Sequence, residues 1–164
     1  MPMVPFESLP DESRVWVFGS DRPLEEQDAN LLLDEVDRFL AHWKAHGVPL
    51  ICARDWRDRA LLTIGVDTTQ ENASGCSIDG LFRTLQGLER SLHTRLLGGG
   101  RVFYRDDEGR VHCVGRDQIP VLAAAGKISE KTPVFDTGLT SAGEWRERFE
   151  AKAAETWVGS LLRA

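Results

Sequence analysis

The chain reads as an α+β fold, an α/β sandwich with a ferredoxin-like βαββαβ core, one extra strand and C-terminal helices. Three observations carry this. Apolar periodicity switches between strand and helix spacing in the order β-α-β-β-α-β over the first two thirds of the chain. Two long amphipathic stripes, at 29–43 and 78–92, flank a closely spaced pair of strands. A hairpin pattern with a well-placed glycine follows the second stripe. This order packs both helices on one face of an antiparallel sheet. The 164 residues are expected to form a single domain, 10–115 the sandwich core and 116–164 a helical C-terminal extension.

The first strand spans 14–19, rich in bulky β-formers and closed by the turn cluster Gly19, Ser20 and Asp21. Pro23 suits the first turn of the next helix, and Glu25, Glu26 and Asp28 complement its dipole. Ala29, Leu32, Val36, Phe39 and Trp43 step along one helical face, with Gly47 as the terminator. A second strand at 50–54, a polar turn at 55–59 and a third strand at 60–66 make an antiparallel pair. The second helix begins near Ser77 and buries Ile78, Leu81, Phe82, Leu85, Leu88 and Leu92. After Gly98, Gly99 and Gly100, strands at 101–105 and 110–114 flank a turn with Gly109 in a left-handed conformation. Asp117 caps a short helix carrying Pro120 and ending at Gly126. A loop holds Pro133. Ser141 and Glu144 form a capping box, opening a helical region that reaches Leu162.

Composition excludes several classes. No apolar run approaches a membrane span, and the N-terminus lacks the pattern of a signal peptide, so a cytoplasmic protein is expected. The net charge of −6 and the absence of a basic stripe argue against nucleic acid as a partner. Three widely spaced cysteines, Cys52, Cys76 and Cys113, fit free thiols better than a disulfide framework or a paired-cysteine metal site. No cofactor is implied.

The segment Ala73-Ser74-Gly75-Cys76-Ser77-Ile78-Asp79 is the most distinctive in the chain. With Leu9-Pro10, residues 13–16, Trp43 to Gly47, residues 132–135 and 154–157, it resembles a family of small bacterial proteins without an established activity. Members are often labelled ABC transporter ATPase. The resemblance covers nearly the whole chain and assigns no catalytic residue. Lys152 stands where the family carries proline, so the last helix is read as either broken or continuous. The ATPase label fails on the residues. A Walker A loop needs a glycine, four further residues and then Gly-Lys-Ser/Thr, yet Val121 stands at the upstream glycine position of Gly126-Lys127 and Ile128 follows.

Cys76 is the candidate nucleophile. A helix start with bare N–H groups at Ser74, Gly75 and Ser77 favours a thiolate, whereas Asp79 opposes it by like charge. The competing reading is a small residue filling tight space. The same loop can bind an anion, with Arg83, the best placed, or Arg14 or Arg22 as the fork, or Ser77 can simply cap the helix. His42 and His46 share a helical spacing but lack further ligands, so complementing the helix end is the simpler role. Trp56, among arginines in a polar turn, is either a contact residue or folded onto the sheet edge.

Three functions stay open. The first is a binding or interaction module with a pocket for an anion or small ligand at the Cys76 loop, or with a protein partner. The second is a thiol-dependent enzyme using Cys76. The third is a structural domain that pairs with itself as a homodimer. The first asks least of the sequence.

Overall fold

The computed structural model describes residues 3–163 and is a mixed α+β structure. Its elements stack as four layers: two helices, a three-stranded sheet, a four-stranded sheet, and two short helices.

The first sheet holds β1 (Arg14–Gly19), β4 (Cys52–Arg57) and β5 (Leu61–Val66) in the antiparallel order β1-β5-β4. All six residues of β5 are buried. It is the central strand, and both of its faces are covered. Leu62, Ile64 and Val66 face α1 (Glu26–Ala41) and α2 (Gly75–Leu92). Those helices contribute Leu32, Val36 and Leu40, and Leu81, Leu85, Leu88 and Leu92. Burying a leucine side chain is worth about 1.5–3 kcal/mol, so this layer dominates the core. On the opposite face Leu61 joins Phe103, Phe135 and Phe149 of the second sheet and its flanks.

The second sheet has the order β7-β6-β8-β9, from β6 (Arg101–Arg105), β7 (Val111–Gly115), β8 (Pro133–Phe135) and β9 (Glu150–Lys152). Alternation along β6 sends Phe103 toward the first sheet and Val102 and Tyr104 toward α3 (Ile119–Ala124) and α5 (Val158–Leu162). Gly19 lies at the seam between the sheets. A Cβ there would sit 2.2 Å from the Phe103 ring. Arg105 ties the layers together, with paired hydrogen bonds to Asp58 in the β4–β5 turn and to Glu150 in β9.

Several expectations are corrected here. The 101–105 strand does not extend the first sheet; it founds the second, which also recruits β8 and β9. Residues 116–164 therefore supply two strands as well as helices. Pro133 sits at the first position of a strand, where its missing N–H is tolerated. The C-terminal helical region is broken into α4 (Ala142–Arg148), β9 and α5. Helix α1 ends at Ala41, not at Gly47. Lys44–Ala45 (β2) and Val48–Pro49 (β3) form a miniature hairpin around His46 and Gly47, both at positive φ, the signature of a tight hairpin turn. Pro23 lies ahead of α1, whose first residue is Glu26. The turn expected at 55–59 shifts to Asp58, Arg59 and Ala60, and Trp56 is a strand residue packed against the helix layer. Gln118, rather than Asp117, bonds the chain ahead of α3, accepting from the Gly115 N–H at 3.0 Å. Ser141 does cap α4, accepting from the Glu144 N–H at 3.2 Å.

Candidate functional site

The Cys76 loop is a self-contained helix cap. Helix α2 starts at Gly75 rather than near Ser77, and Ser74, not Ser77, is its N-cap. The Ser74 hydroxyl accepts from the Ser77 N–H at 3.2 Å, and the Ser77 hydroxyl accepts from the Ser74 N–H at 2.6 Å. Two of the loop's N–H groups are thereby satisfied within the loop. Ser77 is buried, and its carbonyl accepts a 2.8 Å bond from the Trp43 indole. The small residues therefore serve close packing against Trp43. Gly75 and Cys76 face outward. Among the described residues no hydrogen bond reaches the Cys76 sulfur, and no His, Cys, Asp and Glu side chains gather as a group of three suited to a metal ion. His46 has left the helix, so the His42 and His46 spacing does not exist in the fold.

The other thiols are insulated. Cys52 is fully buried, and burial pushes its thiol up to about 12. Cys113 is half-buried and pushed up to about 11, chiefly by burial.

Cavities of about 690, 620 and 450 Å³ open on the surface. Ser74, Gly75, Cys76, Ser77 and Arg83 line none of these three, whereas Arg14 lines the largest. That groove follows the edge of β1 that β5 does not cover. Trp16 and Phe82 wall it on the helix side, and Phe103 and Leu139 on the side of the second sheet. Gly98, Gly99 and Gly100 close one end and Thr140 the other.

Its charges divide into two kinds. Arg101, only 8% exposed, is fully committed through its terminal nitrogens. One donates to the Gly19 carbonyl and to Asp21, each at 2.8 Å, and the other to the Leu96 and Gly98 carbonyls at 3.3 Å. Asp136 accepts from the Gly138 N–H at 2.8 Å and faces Arg148 at 3.9 Å. Arg14 and Arg116 differ. Among the described residues neither has a carboxylate within ion-pair distance. Each guanidinium lies over an indole, Arg14 over Trp16 at 4.7 Å and Arg116 over Trp157 at 5.1 Å. A cation over an indole face is held there by the ring's quadrupole, and its N–H groups can still reach a carboxylate or phosphate.

Sequence reasoning identified Arg14 but neither Arg116, Trp157 nor the groove. Arg116 follows a strand and Trp157 precedes a five-residue helix, and only the second sheet brings them to β1. Comparison of the chain with protein-family models, with curated proteins and with solved structures finds no match. Among the described residues no helix is long and apolar enough to cross a membrane.

Proposed function

We propose that this chain is a binding module that takes an anionic ligand in the groove along β1. The observation that carries the reading is the pair Arg14 and Arg116, each lying over a tryptophan ring in the same groove and, among the described residues, free of an acidic partner. In a chain of net charge −6, two unneutralised arginines on one concavity mark a local reversal of sign. The groove volume of about 690 Å³ lies within the usual range for ligand sites, and its walls mix aromatic and polar groups as such sites do. We read the first sheet with its two helices as a ferredoxin-like unit whose fourth strand position, beside β1, is taken by no strand. The order β1-β5-β4 supports this reading.

Titration with succinate, glutarate and citrate tests it. Binding beside Trp16 and Trp157 changes tryptophan emission and raises the melting temperature. The double variant R14Q/R116Q removes both effects. Unchanged emission and unchanged melting with all three anions refutes the reading, as does an equal response from the double variant.

A further inference from the structure

The uncovered edge of β1 has a specific hydrogen-bonding pattern. Successive residues of an antiparallel strand turn their N–H and C=O alternately toward one neighbour and then the other. Ser20 donates its N–H to the Ala60 carbonyl at 2.8 Å, so the even residues of this strand face β5. Val15, Val17 and Gly19 then face the groove. The chain itself uses part of that edge. Val15 donates to the Thr140 carbonyl at 3.0 Å, and Ala142 donates to the Ser13 carbonyl at 2.9 Å, forming an antiparallel bridge between Arg14 and Ser141. The Gly19 carbonyl is taken by Arg101. Val17 lies between them, and among the described residues neither its N–H nor its C=O has a partner on the groove side.

We propose that the ligand of this groove is an extended acidic peptide segment, paired with β1 at Val17 between the Thr140 bridge and Arg101. The inference rests on the binding reading above and deepens it. An antiparallel segment exchanges two hydrogen bonds with Val17, one to its carbonyl and one from its N–H, as in other strand additions. Its side chains alternate between the Trp16 and Phe82 wall and the Phe103 and Leu139 wall, so apolar residues suit its interior positions on both faces. Charge selects its ends. Arg14 begins β1, while Arg116 donates its backbone N–H to Gly100 at the far end of the groove. Thr140 holds the edge at Val15 and Arg101 holds it at Gly19, so the segment pairs with β1 only at Val17, through one central residue, and its acidic ends pass outward over these flanks toward Arg14 and Arg116. The walls on either side of the edge favour a lone strand over the edge of a second folded copy.

The probe is a library of blocked hexapeptides with glutamate at both ends and Val, Ile, Leu or Phe at the interior positions, added to the ¹⁵N-labelled full chain. The Val17 amide resonance is expected to move in a saturable way. R14Q/R116Q is expected to weaken the response at least tenfold. A matching library N-methylated at its central amides, which cannot donate to Val17, is expected to leave the resonance in place. An unmoved Val17 amide, or equal binding of the N-methylated library, overturns the proposal. If the small dicarboxylates bind while the peptides do not, strand addition fails and the anion site stands. If neither binds, both fail. Light scattering of the free chain supplies a further arm. A dimer mass that reverts to monomer in V17K assigns the edge to a second copy and overturns the peptide.

Discussion

Replacing Gly19 by alanine probes the seam on which the four-layer arrangement depends. The added Cβ would lie 2.2, 2.6 and 2.8 Å from three atoms of the Phe103 ring, far inside van der Waals contact. The ring cannot swing clear easily, because Leu61, Phe135 and Phe149 pack in the same cluster. Overpacking of this kind costs typically about 1–3 kcal/mol, and a clash with a rigid aromatic ring belongs at the upper end. The reduced freedom of the unfolded chain returns about 0.4–1 kcal/mol. A net loss of about 2 kcal/mol is expected, a fall in melting temperature of roughly 4–8 °C for a chain of this size. Urea denaturation followed by tryptophan emission measures it. The double variant G19A/F103L is expected to recover at least half the loss, since a branched aliphatic chain clears the Cβ. Gly75→Ala is the matched control. Nothing lies within 4 Å of its added Cβ, and a helical position gains from alanine. A G19A protein as stable as the parent, or no recovery in the double variant, refutes the two-sheet seam.

Other outcomes follow from the same contacts. Ser74→Ala removes the acceptor for the Ser77 N–H and is expected to cost about 1 kcal/mol by urea denaturation. Arg105→Ala leaves Asp58 and Glu150 without their shared guanidinium and is expected to cost about 2 kcal/mol. Arg105→Lys recovers little of this, because a single ammonium cannot repeat two paired contacts. Cys52 makes stability fall in alkali. Its folded-state pKa of about 12 lies above the ordinary value of 9.0, so its contribution is complete below pH 9 and drains away as pH rises toward 12. Cys52→Ala is expected to flatten the decline of the urea midpoint over that window. Thiol labelling of the native protein near neutral pH is expected to modify Cys76 first, and Cys52 only on unfolding.

Much of the helix-and-first-sheet half was legible in the sequence. The stripes Leu32, Val36, Leu40 and Leu81, Leu85, Leu88, Leu92 are buried as their spacing requires. Strong periodicity over many residues leaves a helix little choice of face. Trp43 was placed in the correct core but in the wrong element. Its burial continues the stripe, although the backbone has already turned into the β2–β3 hairpin. For the candidate site, the sequence located a tight helix start at Ser74 to Ser77 and picked out Arg14. It could not pair Arg14 with Arg116, some hundred residues away in the chain. Strands as short as Pro133–Phe135 and Glu150–Lys152 carry too few residues for alternation to register.

Local chemistry thus settled the faces of the two long helices, the cap at Ser141 and the left-handed turn at Gly109. These depend on side chains within a few residues of one another. Long-range packing decided where the 101–105 strand went. Phe103 buries against Leu61 beneath Gly19 rather than pairing beside β1, and the ladder passes to β8 and β9 instead. Strand spacing is the same in either arrangement, so no local pattern distinguishes them. The choice left an edge of β1 without a neighbouring strand, and with it the groove that Arg14 and Arg116 both line.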